Sequence, residues 1–384
     1  MHDFYEFFAG GGMAGVGLGP DWRCVFANDI CPMKGASYRA NFPGVHLRVA
    51  DVANLAIADL PGRADLVWAS PPCQDISLAG KGAGLDGSRS GAFHPWWRLM
   101  RELVAEGRAP RVIALENVAA LITSSKGADF AAVVEAFAAV GYVTGAVVID
   151  AALLLPQSRE RVFIIAVRGE NFARGLAQDG PTEPFHTKAL RKAVAAFPAA
   201  LRASWRWWRL PEPPTRNVAL VDVLDFDARC DGDTATRRII ELMDPLHIDK
   251  VKNARATGVR AAGAVCFRMR QGQQRAEIRF DGLAQALRTP GGGSSIQRFL
   301  LIDEKGTMRS RKPTARECGK LMGLPDSFVL PYSTTDAYQL TGDGVVVNVV
   351  AWLERNLLTP LVAAAEVAPD DEAADAPRRS AGSR

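Results

Sequence analysis

The sequence predicts an α/β fold wound on both faces of a largely parallel sheet, with a smaller, irregular second domain late in the chain. Three observations predict it. Strand-like and helix-like runs alternate through the first 170 residues. A glycine-rich turn follows the first strand-like run. Near residue 170 the alternation stops and gives way to aromatic, proline-rich and then basic sequence.

The strand candidates are Phe4–Phe8, Arg23–Asn28, Ala64–Ala69, Arg111–Glu116, Gly145–Asp150 and Arg161–Val167. They are rich in Val, Ile and Phe and almost continuously apolar, as strands buried on both faces are. Helical stretches separate them. Phe130–Val140, for example, carries apolar residues at three- and four-residue spacing, which lines one face of a helix. Strands alternating with helices make a doubly wound domain.

Residues 171–216 hold Trp205, Trp207 and Trp208, then Pro211, Pro213 and Pro214, and read as a boundary. Residues 217–312 read as irregular and basic. Helical signals return at Thr314–Met322 and at Val345–Leu357, where Val345, Val349, Leu353 and Leu357 recur every fourth residue. The tail from Ala364 is Ala-, Asp- and Arg-rich, the composition of a disordered segment. The expected division is therefore 1–184 for the first domain, 185–312 for the second, 313–363 for a return to the first, and 364–384 for the tail.

The net charge of +4 on 384 residues is mild, but its distribution is not. Arg255 to Glu317 holds thirteen Lys and Arg against five Asp and Glu, an excess of eight. Such a block suits a phosphate-facing surface. None of the six cysteines forms a C-x-x-C pair, so neither a zinc site nor a disulfide framework is expected. The first strand-like run begins almost at Met1, and no apolar run reads as membrane-spanning. A cytoplasmic chain without a membrane partner is expected.

Four motifs carry chemistry. Phe8-Ala9-Gly10-Gly11-Gly12-Met13-Ala14-Gly15 follows the first strand and opens a helix. Its glycines allow a sharp turn and close approach to a ligand. Asp29 ends the second strand, placed for ribose hydroxyls, and Asp51 ends a third short segment, placed for an adenine amino group. Ser70-Pro71-Pro72-Cys73-Gln74 follows the strand at Ala64–Ala69. The prolines hold a thiol on a stiff loop at a strand end, where α/β sheets build sites, and a thiolate is a strong nucleophile. Glu116-Asn117-Val118 brings a carboxyl to the same edge. Gln157-Ser158-Arg159-Glu160-Arg161 precedes the last strand, so both arginines sit near a sheet edge that spacing alone does not identify.

This set, followed by R-E-C-G-K-L-M-G-L-P-D-S-F at 316–328 and G-D-G-V-V-V-N-V at 342–349, resembles the bacterial DNA (cytosine-5)-methyltransferases. The blocks stand in that family's order over most of the chain. The resemblance implies a Rossmann-like S-adenosylmethionine-dependent catalytic domain and a target-recognition domain that meets duplex DNA. Cys73 would be the nucleophile toward cytosine carbon 6. Glu116 would contact the base's nitrogen 3 and amino group and Arg161 its carbonyl oxygen, with Asn117 counted among the catalytic residues. Phe8, Gly10, Gly11, Gly12, Met13, Asp29, Ile30, Asp51, Val52, Phe93, Asp343, Gly344 and Val345 would bind the cofactor. Gln74, Ser77, Arg89 and Arg159 would meet DNA, with Arg159 also positioning loop and backbone. Arg268, Arg270, Gln271 and Gln273 would read sequence, since Arg suits guanine and Gln adenine. One departure stands out. The family's last block reads G-N-x-V, and Asp343 replaces the Asn here. Asp caps a helix as well as Asn does, but it adds a negative charge beside the cofactor.

The resemblance also implies a monomer that flips its target base, with a cognate restriction endonuclease as a partner the sequence does not show. An RNA cytosine methyltransferase of the same fold shares most of these motifs, but the long variable region favours DNA. A nicotinamide-dependent dehydrogenase would use the glycine loop but has no role for Cys73 and Glu116. A catalytically dead DNA-binding regulator would not need Cys73, Glu116 and Arg161 together.

Overall fold

The computed structural model describes residues 1–44, 47–72, 91–169, 175–291 and 296–367. The chain alternates β1 (His2–Phe7), α1 (Met13–Leu18), β2 (Trp22–Asp29), α2 (Pro32–Asn41), β3 (Leu47–Val49) and β4 (Leu66–Ala69). It continues with α3 (Phe93–Ala105), β5 (Val112–Val118), α4 (Ala128–Ala138), β6 (Tyr142–Asp150), β7 (Gln157–Ser158) and β8 (Glu160–Arg168). Seven strands form one sheet in the order β3-β2-β1-β4-β5-β8-β6. Each of the six expected strands appears in it, within a few residues of its expected ends.

The expected parallel pairing holds from β3 to β5 and then changes. β8 runs antiparallel to both β5 and β6. An apolar run records burial on both faces but not strand direction. The reversal matters for the site. The register pairs Val118 with Arg161, so the start of β8 lies beside the end of β5. Arg161 therefore reaches the edge that carries Glu116.

The segment expected to begin a second domain packs instead on this sheet. After β9 (Ala177–Gln178), α5 (Lys188–Ala195) and α6 (Ala199–Ala203) bury Leu190, Val194, Phe197, Leu201 and Trp205 in the core that also contains Tyr5, Phe7 and Trp96. Trp208, in β10 (Trp207–Trp208), is fully buried in the core on the sheet's other face. Large aromatic side chains carry enough apolar area to tie this stretch to the sheet, so the tryptophans mark packing rather than a boundary.

Residues 217–312 are regular. They form α7 (Leu220–Val223), α8 (Asp233–Glu241), α9 (Pro245–Ala256), β11 (Ala261–Arg270), β12 (Gln273–Arg279), β13 (Ala284–Gln285), β14 (Arg298–Ile302) and β15 (Met308–Arg311). Four of these strands make an antiparallel sheet in the order β12-β11-β14-β15. Alternation decides its two faces. Ala264, Phe299 and Leu301 join the main core, while Val265, Ile278 and Leu300 pack against Ile239 of α8, Val251 of α9 and Met243 between them. β11 pairs with β14 over residues 261–265 and with β12 over 264–270. Beyond Val265, then, β11 and β12 continue as a two-stranded ribbon.

The chain returns through α10 (Ala315–Leu321), α11 (Thr334–Asp343), α12 (Val347–Leu353) and α13 (Thr359–Val367). Thr314 caps α10 in a reciprocal capping box with Glu317. Val345, Val349, Leu353 and Leu357 are buried, as their spacing requires. One run that the sequence did not single out, Thr334–Ala364, is long and apolar enough to cross a membrane, but 61% of its apolar window is buried inside the fold. It is part of the core.

Candidate active site

A cavity of about 320 Å³ opens where β1, β2, β4, β5 and β8 meet the turn before α12. Its walls come from four stretches the sequence singled out: Phe8 to Gly11 with Met13 and Ala14, Asp29–Ile30, Ser70 to Pro72 and Glu116 to Val118, while Gly12 lies behind the wall. Arg159, Arg161 and Gly342 to Val345 close it.

On one side lies the glycine turn. Gly12 takes φ +81°, and a Cβ there would stand 2.3 Å from the Phe42 ring. No other residue fits both constraints. Phe8 also lies at positive φ, +56°, a conformation that costs energy outside glycine and clusters at ligand sites. Asp29 pins the turn. Its two carboxylate oxygens accept from the Gly10 and Cys31 amides, each at 2.8 Å. Ile30 follows at the rim, 66% exposed, an apolar surface on which a planar ring could rest. Glu6 lies beneath the turn and is buried. Burial pushes its carboxyl up to about 8, against donors from the Gly15 and Ala14 amides and the Tyr38 hydroxyl.

On the other side lie the ends of β4 and β5 and the start of β8. Glu116 Oε1 meets Arg161 Nε at 3.2 Å, and both line the cavity. Asn117 donates from Nδ2 to the Pro71 carbonyl at 2.9 Å. It acts by fixing the backbone that leads into residue 73. Trp68 Nε1 donates to Ser70 Oγ at 3.1 Å, anchoring the same stretch from below.

Arg159 ties the two sides together. It is 3% exposed and lines the cavity rather than the outer surface. Its guanidinium donates to the carbonyls of Leu287, Gly342 and Gly344 at 3.1, 3.0 and 2.8 Å. Burial lowers its pKa to about 9, helped by the like charge of Arg161. One side chain thus joins β8, the segment after β13, and the turn before α12.

The family model for C-5 cytosine-specific DNA methylases matches residues 2–359. The chain belongs to this family. It is 24% identical over 337 residues to the type II methyltransferase M.HhaI of Haemophilus parahaemolyticus, covering 87% of each chain. It is 26% identical over 372 residues to M.NlaX of Neisseria lactamica, covering 95% of this chain and 99% of that one. Among solved structures it resembles a Spodoptera frugiperda DNMT2 variant at TM-score 0.58 and 17% identity, covering 94% and 99% of the two chains. That last likeness shows the fold. The enzyme is a DNA cytosine-5 methyltransferase by family.

Within this methylase fold the expected residues divide. Cys73, Gln74, Ser77 and Arg89 lie outside the described residues. Phe8, Gly10, Gly11, Met13, Asp29, Ile30, Glu116, Asn117, Arg161, Asp343, Gly344 and Val345 line the cavity. Phe93 does not. It opens α3 facing inward and is fully buried near Trp96 and Trp97. Val52 is likewise buried, and Asp51 caps the turn after it by accepting from the Ala53 amide at 2.9 Å. Neither is part of the cavity wall in this structure.

Asp343 is not a helix N-cap. It is the last residue of α11, and its carboxylate meets Lys34 Nζ at 2.6 Å. Lys34 escaped the sequence reading because a single lysine in a helical stretch carries no motif and its partner lies 309 residues away. Glu6 escaped it too, although a carboxylate inside an apolar strand was a visible signal. Arg268, Arg270, Gln271 and Gln273 stand together on the β11–β12 ribbon, where Gln271 and Gly272 form the turn at positive φ. Both arginines pair with Glu277, at 3.0 and 2.7 Å. Exposed pairs of this kind are weak enough to exchange for other partners.

Proposed function

We propose that this enzyme moves the methyl group of S-adenosylmethionine to carbon 5 of a flipped cytosine within a specific duplex DNA sequence, through a Cys73 adduct. The observation that carries the reading is the Glu116–Arg161 pair on one wall of a cavity whose other wall is the glycine turn with Asp29 and Ile30.

The residues present fit the cofactor. Gly10 and Gly12 allow close approach, Asp29 offers its remaining lone pairs to ribose hydroxyls, and exposed Ile30 offers an apolar face to adenine. When bound, the cofactor supplies an electrophilic methyl group. The chain's own residues prepare the base. Thiolate addition from Cys73 to carbon 6 makes carbon 5 nucleophilic, while Glu116 delivers a proton to nitrogen 3 and Arg161 holds the carbonyl oxygen. Asn117 holds the Pro71 carbonyl, two residues before Cys73 in the sequence. Loss of the carbon 5 proton to a base then lets the thiolate leave.

The β11–β12 ribbon is the proposed reader of sequence, since the major groove admits a two-stranded ribbon. In domain terms, the antiparallel sheet with α8 and α9 is the recognition unit and the remainder is catalytic. We place the enzyme in a bacterial cytoplasm as a monomer, alongside a restriction endonuclease of matching specificity, as the type II names of its relatives suggest.

The test is covalent trapping. DNA with fluorine at carbon 5 of the target cytosine cannot lose a proton there. With cofactor present, the enzyme is expected to form a complex that survives boiling in detergent, and Cys73→Ala none. An adduct that persists in Cys73→Ala removes the nucleophile assignment. No adduct on a sequence the enzyme methylates removes the mechanism.

A further inference from the structure

The β11–β12 ribbon has two unlike faces. Residues directly opposite one another share a face, and faces alternate along each strand. The register pairs Arg268 with Arg275, Met269 with Gln274 and Arg270 with Gln273. One row therefore holds Arg268, Arg270, Gln273, Arg275 and Glu277, on the face of Ala264. The other holds Met269 and Gln274, on the face of Val265 and Ile278. Ala264 joins the main core, whereas Val265 and Ile278 pack with α8 and α9. The charged row thus looks toward the main core's side, and Met269, 65% exposed, looks away from it.

Within the charged row the side-chain acceptors are already engaged. Glu277 Oε2 meets Arg268 Nε at 3.0 Å, and Oε1 accepts from Arg270 Nε at 2.9 Å and meets its Nη2 at 2.7 Å. Gln273 Oε1 accepts from Arg275 Nη2 at 2.7 Å. Arginine has no acceptor, so the atom facing it is the amide oxygen, and the amide nitrogen is left to donate. The groups that remain are donors. Arg268, held by its inner nitrogen, keeps its outer two as a planar fork. Arg270 keeps Nη1, Arg275 keeps Nη1, and Gln273 keeps Nε2. With its oxygen taken, Gln273 cannot make the paired contact that suits adenine.

A row of donors discriminates among bases. In the major groove guanine presents two acceptors, O6 and N7, whereas adenine and cytosine each place an amino donor there and thymine sets a methyl group beside its one acceptor. We propose that this row recognises guanine at two or more G·C pairs besides the target pair, with Arg268 and Arg275 reading and Glu277 as their positioning residue. The inference rests on the ribbon being the reader of sequence, and it names what the ribbon reads.

The methylated motif comes first, from bisulfite sequencing of DNA treated with the full chain. At least two specified G·C pairs are expected besides the target pair, and fewer would overturn the proposal. Each of those guanines is then replaced in turn by 7-deazaguanine, which pairs normally but lacks the N7 acceptor. A loss of about tenfold in kcat/KM is expected at two positions. Arg268→Ala should shrink one of these penalties, and Arg275→Ala the other, to within about twofold. Gln274→Ala, on the opposite face, should keep both. Penalties that survive both arginine variants, or that vanish in Gln274→Ala, would overturn the assignment. Glu277→Gln separates positioning from plain charge. Affinity for a scrambled duplex is expected to rise about threefold, because a negative charge leaves a phosphate-facing surface, while affinity for the target falls about threefold. A rise for both duplexes, or no change in either, would remove the positioning role. A wild-type chain that methylates no duplex DNA would sink the proposed function itself, whereas one that methylates a motif poor in G·C pairs would sink this inference alone.

Discussion

Glu116 with Arg161 in the cleft, and Glu317 with Arg311 at the end of the four-stranded antiparallel sheet, are both arginine–carboxylate pairs, yet the two are finished to different degrees. Glu317 accepts from both Arg311 nitrogens, from the Thr314 amide at 2.7 Å and from the Asp225 amide at 2.8 Å. Both side chains are 3% exposed. A buried charge pair persists when its remaining hydrogen-bonding positions are filled, and here those of the Glu317 carboxylate are filled by protein, although the buried Arg311 Nε has no partner among the described residues. Glu116 instead meets Arg161 at 3.2 Å and borders a cavity. The first pair closes a structure, whereas the second leaves hydrogen-bonding capacity turned toward a ligand. A region built for stability consumes its polar groups, and a region built for chemistry leaves some of them unspent.

The largest effect that sharpens this contrast is kinetic. Glu116→Gln keeps the shape and removes the proton, so adduct formation on fluorinated DNA is expected to slow by about 100- to 10,000-fold, with the melting temperature nearly unchanged. Rapid-quench trapping measures the first and thermal denaturation the second. A variant that reacts at the wild-type rate would return Glu116 to the same structural class as Glu317.

Arg311→Leu should behave in the opposite way. It strands a buried carboxylate, and the expected loss is about 3–5 kcal/mol of unfolding free energy, read by urea titration. Cofactor affinity of the folded fraction should not change. If ligand binding falls while stability holds, the pair belongs to the site after all.

The ribbon separates recognition from both. Replacing Arg268, Arg270, Gln271 and Gln273 together with Ala should erase preference for the target site, since each good base contact is worth about 1–3 kcal/mol of discrimination. S-adenosylhomocysteine affinity should stay within about twofold. Competition binding with target and scrambled duplexes decides it, and unchanged preference would move recognition to another loop.

The same contrast explains what the sequence made legible. The cleft is built from short, contiguous motifs at strand ends, so Phe8 to Met13, Asp29 and Glu116–Asn117 could be read one by one. The four-stranded antiparallel sheet reads as irregular in sequence. Its ribbon pairs mainly with itself, so Arg268, Arg270 and Arg275 occupy strand positions without the apolar alternation that marks a half-buried strand. Strand direction was not legible in β8, because Val162 to Val167 are apolar whichever way they run. Lys34 and Asp343 became visible only when folding brought α2 and α11 together. Phe93, expected from the family resemblance among the cofactor residues, is fully buried and outside the cavity wall, a placement that its position in the sequence does not reveal.

Glu6 gives the smallest effect and a test of how the cleft stores its cost. Unlike Glu317, it faces no arginine in its hydrogen-bonding shell, and burial raises its carboxyl from 4.5 to about 8. Between those values the folded protein holds a proton that the unfolded chain releases. The stabilisation is therefore complete below pH 4.5 and is lost as pH rises toward 8, at about 1.4 kcal/mol per unit for one proton. His186 works in the other sense. Burial lowers it from 6.5 to about 4, so its contribution changes as pH falls below 6.5. The window from pH 6.5 to 7.5 consequently isolates Glu6. Wild-type unfolding free energy is expected to fall by about 1 kcal/mol more across that window than that of Glu6→Gln, which carries no titrating proton. Parallel urea titrations at the two pH values measure the difference. Equal slopes in the two proteins would mean that Glu6 is already ionised in the folded state, and that the floor of the cleft is as fully compensated as the Glu317 carboxylate.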